Sequence, residues 1–470
     1  MNDFREFIRI LDDNNELLRI REEVEPKFDV GGINRLAVLR RGPALLFENI
    51  RGCPSKVATF AFGSQRRIDL AFGTKSHKET IEKYLEALKR DRIPPVLVKS
   101  GACKENILRD PDLTRDIPNL IWGELDGGPY ITLPLVITKD RDKQKRNMGI
   151  YRVMIRDSKE AGILIVPTQH IGMMYSEYER NDEPMDIAIV LGGDPLLTIL
   201  AASPLQYGDD ELGVVGSIRQ KPVEVVKCET VDIEVPASAE LVIEGVVLPK
   251  IRKLEGPFGE YTGYYGKQGE RPVIQVKCIT HRENYLWPAA YVTKPHPPNE
   301  DTVVRSVGID GGILDQARKV LPEIRNFHML RSSGDSYMGV AQIGKKPYPN
   351  FAKQVMDAIW STHKGCWIKI LIVVDEDIDI YDIEDVIWAI SMRVQPHSDT
   401  HIVNDHIGYP LDPSAETPGV SSHMGIDATI KVPERFKSYP PLSVPSDGLL
   451  AAIEQKYGRL SFYSRITGNK

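Results

Sequence analysis

The sequence predicts a multidomain α/β protein: an N-terminal α/β domain (residues 1–118), a strand-rich central domain (119–304), and a C-terminal α/β domain with a terminal helix (305–470). Three observations point there. At 470 residues the chain is longer than one hydrophobic core usually holds. Near residue 120, helix-spaced apolar patterns give way to short strand-like runs. Near residue 305 the helical patterns return.

In the first domain, Asp3 and Glu6 stand at capping-box spacing before a helix whose Phe4, Ile8 and Ile10 supply its apolar side. ELLRIREEV (16–24) and GPALLFENI (42–50) read as strands around the helical stretch VGGINRLAVL (30–39). Ser76 and Glu79 form a second capping box, opening a helix with Tyr84, Leu85 and Leu88 on its inner side. Pro111 and Pro118 punctuate the way out. The runs YITLPLVITKD (130–140), AGILIVP (161–167), PMDIAIVLGG (184–193), ELVIEGVVLP (240–249) and RPVIQVKCITH (271–281) follow, separated by Gly, Pro and Asp turns. They predict an antiparallel barrel or sandwich with few helices. Beyond 305, helical DGGILDQARKVLPEI (310–324), NFAKQVMDAIWST (350–362) and YDIEDVIWAISMRV (381–394) surround the strand KILIVVDED (369–377). Proline-rich ERFKSYPPLSVP (434–445) leads to a last helix, LLAAIEQKYG (449–458).

Composition excludes several classes. A formal net charge of -6 and pI near 6.0 argue against a nucleic-acid binder, which needs a concentrated basic patch. No apolar run approaches the ~20 residues of a membrane helix. The acidic start MNDFREFIRILDD is unlike a secretory leader, and five scattered cysteines fit a reducing compartment, so a cytoplasmic protein is expected. Fingerprints of nicotinamide enzymes, P-loop ATPases, zinc peptidases and α/β-hydrolases are missing.

The segment EGPFGEYTGYYG (255–266) carries the chemistry, if any segment does. It reads either as an exposed glycine turn or as a shaped loop presenting Glu255 and Glu260 as a carboxylate pair, one with a raised pKa. Such a pair needs a cation. Arg152 lies mid-strand in RNMGIYRVMIRD, either on a wet face or paired inside. Asn147 begins the same run, and strict alternation would point it away from Arg152 unless Gly149 marks a bulge. His170 follows GILIVPTQ in what reads as the first turn of a helix capped by Thr168, a place that suits a phosphate. Asn147, His170 and Glu211 form an N/O donor set suited to Mn²⁺ or Mg²⁺, although their spacing is diagnostic of nothing.

NMGIYR (147–152), PTQH (167–170), DELGVVGSIR (210–219), EGPFGEYTGYY (255–265) and SSHMGIDAT (421–429) together resemble the UbiD family of decarboxylases, in the same order over nearly the whole chain. The resemblance implies a central split barrel that binds prenylated FMN, and a C-terminal α/β domain that drives homo-oligomerisation into a dimer or hexamer. It implies Asn147, His170 and Glu211 as ligands of a divalent metal, Mn²⁺ or Mg²⁺, that clamps the cofactor phosphate with K⁺ nearby, and it adds Gln169 and Arg152 to the cofactor contacts. Glu260 is implied as the proton donor, ordered by Arg152 and Glu255. A flavin prenyltransferase would supply the cofactor. Such enzymes remove CO₂ from an sp² carbon, whose electrons need a cofactor to receive them.

For the substrate, His296, Arg305 and Arg331 would suit a second carboxylate. This segment resembles family members acting on small heteroaromatic acids, above all furan-2,5-dicarboxylate, which yields 2-furoate and CO₂. Pyrrole-2-carboxylate, a hydroxybenzoate or an aromatic acyl-CoA acid are the alternatives, and a flavin-binding or assembly protein is the non-enzyme alternative. Arg331 also has a purely structural reading, as a partner of Asp335.

Overall fold

The structure is a computed structural model and describes residues 1, 3–432 and 435–458. The first helix, Phe4–Asp13, forms where the capping box places it: the Glu6 N–H donates to Asp3 Oδ1 at 2.8 Å. Phe4, Phe7, Ile8 and Leu11 are buried along one side, with Phe7 stacked on Phe62 at 5.2 Å. Beside it, Leu17–Ile20, Ala44–Phe47 and Lys56–Thr59 form a sheet whose fourth strand is Leu286–Ala289. That strand pairs parallel with Lys56–Thr59. A division at residue 118 therefore cuts through shared sheets, because Val96–Leu97 likewise pairs with Glu224–Lys227. Short apolar runs such as Leu286–Ala289 carry no sign of a partner more than two hundred residues away.

The central region is a nine-stranded sheet, and every pairing within it is antiparallel. It is built on two long strands, Leu241–Glu255 and Gly269–His281. The strands Arg146–Gly149 and Val153–Ile155 lie near opposite ends of the strand order, yet only Ile150–Arg152 separate them. A residue of extended chain spans at most about 3.6 Å, so the sheet must curl until its two ends approach. The result is a split barrel, with Ile150–Arg152 crossing the split. Three helices line it (His170–Arg180, Pro195–Ala201 and Glu211–Arg219), more than the strand-dominated texture predicts.

The C-terminal sheet has five strands in the order Ile324–Met329, Met338–Ile343, Ile370–Asp375, Val420–Asp427 and Thr400–Ile407. The helices Ser306–Val320, Phe351–Trp360 and Ile383–Arg393 form where the helical patterns place them. Met1–Ala428 is one compact unit and the described residues from Thr429 onward belong to a second, which holds the helix Asp447–Tyr457. Among the described residues, no helix is long and apolar enough to cross a membrane.

Candidate active site

The two long barrel strands stay paired up to Glu255 opposite Gly269. Between them the chain folds back as a small hairpin, Phe258–Gly259 against Tyr265–Gly266. Gly256 sits at φ +92°, a conformation that a side chain would strain. The turn is thus shaped, and both its glutamates are buried: Glu255 is 1% and Glu260 9% exposed.

Arg152 reaches them from the barrel split. It is not a mid-strand residue, since its strand breaks after Gly149, and the alternation argument about Asn147 therefore lapses. The Arg152 Nε and Nη2 donate to the two oxygens of Glu255, both at 2.9 Å, while Nη1 donates to Glu260 Oε1. Its guanidinium lies 4.9 Å from the Phe258 ring centroid. Burial works against the Arg152 charge, but Glu260 and Glu255 outweigh it and hold the guanidinium above its ordinary value. Burial pushes the Glu260 carboxyl up against the opposing pull of Arg152, with Asp301 and Glu255 adding to the rise. Arg152 thus binds Glu255 through two hydrogen bonds and Glu260 through one, and of the two glutamates Glu260 is the one whose carboxyl burial raises.

A second corner forms at the other end of the crossing. The Asn147 amide donates to Tyr151 Oη at 3.4 Å, and the Met148 N–H donates to Glu211 Oε2 at 3.0 Å. The Tyr151 hydroxyl also feels Glu211 and the Ile171 backbone, which brings the start of the His170 helix to the same place. Gln169, not Thr168, occupies the cap position, and its side chain makes no capping bond. Burial pushes the Glu211 carboxyl up to about 8. A buried carboxylate with neutral donors beside an amide and an imidazole is a donor set that fits a hard divalent cation. Sequence reasoning missed Lys364. Burial first and Arg305 second push its ammonium down to about 7, and its field reaches His170. Nothing in STHKGCW marks it, since its importance comes from the C-terminal sheet facing the barrel.

The three residues expected to grip substrate part company. His296 is exposed, with Nδ1 3.3 Å from Ser332 Oγ. Arg305 lies over the Tyr261 ring at 4.5 Å and donates to the carbonyl oxygens of Asp301 and Gly334, both at 3.0 Å. Tyr261 in turn meets Tyr337 through hydroxyls 3.2 Å apart, and Trp367 packs on Tyr409 with centroids 4.4 Å apart. This aromatic wall begins at the residue after Glu260. Arg331 points elsewhere: it donates to Asp310 Oδ2 at 2.6 Å and to Asp335, so the structural reading describes its contacts and both ends of the guanidinium are occupied.

Around Arg331, His77 Nε2 and His328 Nδ1 lie 3.3 and 3.1 Å from Asp310 Oδ2. Among the described residues these three form the one His/Cys/Asp/Glu triad compact enough to hold a metal. The permanent cation beside it already supplies the charge a metal would. Replacing Arg331 with alanine removes the permanent cation from between the buried carboxylates of Asp310 and Asp335, and a loss of about 3–5 kcal/mol in stability is expected. Chemical denaturation checks it, and turnover of every substrate should fall together.

Sequence profiles of the 3-octaprenyl-4-hydroxybenzoate carboxy-lyases match the chain in three parts: the N-terminal domain over residues 8–88, the Rift-related domain over 96–295 and the C-terminal domain over 304–428. The chain belongs to this family, UbiD. It is 34% identical over 446 residues to a phenolic acid decarboxylase of Sedimentibacter hydroxybenzoicus, covering 92% of each chain. The solved vanillic acid decarboxylase of the same organism, in its closed form, is 32% identical with a TM-score of 0.88, over 98% of this chain and 99% of that one. The UbiD-class enzyme HmfF of Pelotomaculum thermopropionicum, solved with FMN, is 33% identical with a TM-score of 0.88, over 97% and 100%. An evolved dimeric form of HmfF is solved with prFMN, at 32% identity and a TM-score of 0.84, over 94% and 97%.

Proposed function

We propose that the protein catalyses the reversible, non-oxidative decarboxylation of a phenolic acid of the hydroxybenzoate type, with prenylated FMN as cofactor. The observation that carries the reaction is Arg152 held between Glu255 and Glu260. The phenolic and vanillic acid decarboxylases among its relatives support the substrate class. Prenylated FMN, when bound, supplies an acceptor for the electrons left as CO₂ departs.

The chain's own residues do the rest. Asn147, His170 and Glu211 would hold a divalent metal, Mn²⁺ by the chemistry of the donor set or Mg²⁺ in its place, at the cofactor phosphate, with K⁺ nearby. Gln169 and the start of the His170 helix would lie against that phosphate, and Lys364 would add positive charge. Tyr261, Tyr337, Tyr409 and Trp367 offer an aromatic surface to the substrate ring. Glu255 keeps Arg152 in place. Glu260, buried and with its carboxyl pushed up by that burial, delivers its carboxyl proton to the ring carbon that loses CO₂.

Furan-2,5-dicarboxylate is the second reading, favoured by Arg305 against the aromatic wall. It lacks Arg331 as a second anchor, because that guanidinium is taken by Asp310 and Asp335. A flavin prenyltransferase would supply the cofactor. The C-terminal sheet would join copies of the chain, as dimer or hexamer, through the exposed Ile402 and Ile407 of its edge strand.

The test is CO₂ release by cofactor-loaded protein from vanillate, 3,4-dihydroxybenzoate, 4-hydroxybenzoate, furan-2,5-dicarboxylate and pyrrole-2-carboxylate. Turnover of a hydroxybenzoate is expected, and turnover of the furan diacid alone would overturn the substrate class. Replacing His170 with alanine should strip both manganese and flavin from the purified protein, read by metal analysis and absorbance. Full occupancy of both would displace the metal corner.

A further inference from the structure

The hairpin that carries Glu260 is too small to fix the acid by itself. Each of its strands is two residues long, and glycines at 256, 259, 263 and 266 leave its backbone many alternatives. Yet proton delivery depends on where the Glu260 carboxyl sits, and a misplacement of about 1 Å can cost about 10²-fold in rate.

A second segment, 122–127, lies across this hairpin. The Gly127 N–H donates to the Pro257 carbonyl oxygen at 2.8 Å, and a Cβ on Gly127 would fall 2.1 Å from the Gly256 carbonyl oxygen. The Leu125 N–H donates to Tyr265 Oη at 3.4 Å, on the opposite hairpin strand. Asp126 completes the strap. Its half-buried carboxylate accepts the Gly123 N–H on Oδ2 at 2.7 Å and the Gly259 N–H on Oδ1 at 3.2 Å. Gly259 is the residue immediately before Glu260. Within the hairpin Gly259 pairs with Tyr265, so Asp126 holds the Phe258–Gly259 peptide from outside the hairpin.

We propose that Asp126 is a positioning residue for the proton donor: it anchors the Phe258–Gly259 peptide, immediately before Glu260, to the 122–127 strap, and so sets where the Glu260 carboxyl meets the substrate carbon. The proposal rests on the reading of Glu260 as proton donor. Asp126 itself exchanges no proton with substrate. Its hydrogen bond to the hairpin is to the Gly259 backbone N–H, and Arg152, whose field it feels, remains committed to Glu255 and Glu260.

The experiment compares Asp126→Ala and Asp126→Asn with wild type, all loaded with cofactor and normalised to flavin content. The asparagine keeps one acceptor and sets an amide against the other N–H, so its defect should be the smaller. For Asp126→Ala, kcat is expected to fall about 10-fold or more while KM and the flavin spectrum stay unchanged. Exchange of the product's ring hydrogen with solvent deuterium should fall by the same factor, because both need the placed acid. In the Glu260→Gln background, Asp126→Ala should cost nothing further. Wild-type kcat in Asp126→Ala overturns the proposal, and so does a further loss on top of Glu260→Gln. If the alanine variant fails to fold, full kcat in Asp126→Asn overturns it equally. Normal exchange and turnover in Glu260→Gln alone would instead overturn the donor assignment on which it rests.

Discussion

Replacing Glu260 with glutamine should leave a protein that folds and takes up cofactor but turns over at least ~10²-fold more slowly, the usual scale for losing a general acid. The amide is nearly isosteric and still accepts from Arg152, so the hairpin keeps its shape. What disappears is the proton. Burial raises the Glu260 carboxyl in the wild type, so its acid form persists above the ~4.3 of an ordinary glutamate. Activity that depends on that form is full below the raised pKa and is lost as pH rises through it. The wild-type pH profile should therefore show an alkaline limb that the glutamine variant lacks. An identical limb in both proteins would move the proton to another group.

Replacing Arg152 with methionine should be the most damaging single change to the fold of the site. It removes the one cation from between Glu255 and Glu260, and breaking a buried pair in this way costs about 3–5 kcal/mol. The loss must depend on pH. Without the guanidinium, the pull that opposes burial at the Glu260 carboxyl is gone and its folded-state pKa stands further above its unfolded value, so the folded state binds more protons than the unfolded state. The variant is therefore least impaired at low pH and falls further behind wild type as pH rises through those values. Urea denaturation at two pH values either side of neutrality checks it. A destabilisation independent of pH would mean that the glutamates find other partners.

How much of this was legible in the sequence depends on the range of the interaction. Asp3 and Ser76 announce their helices because a cap reads only three residues ahead, and both accept the N–H expected of them. EGPFGE announces a shaped turn because its glycines and proline act locally. The order of strands does not show. Leu286–Ala289 joins Lys56–Thr59 across the molecule, and only tertiary packing selects that partner. The same limit applies to side chains. Arg331 and Asp335 stand at helical spacing and can be paired on paper, but Asp310, a full helix and strand earlier, is what turns the guanidinium inward. Lys364 and Asp126 carry no local mark at all. Each matters only because of what faces it.

The three residues that cross the barrel split have a further consequence. Asn147 stands in the strand just before that crossing and Arg152 is its last residue, so the corner of Asn147 and Glu211 and the cation between the two glutamates are joined by a tether of fixed contour. One inserted residue would lengthen it by about 3.3 Å, more than a charged hydrogen bond can stretch, and one deletion would shorten it as much. Mutating a side chain at either end disturbs one function. Changing the length of the tether uncouples both, which makes this segment a ruler whose graduations are counted in residues and whose chemistry is written only at its ends.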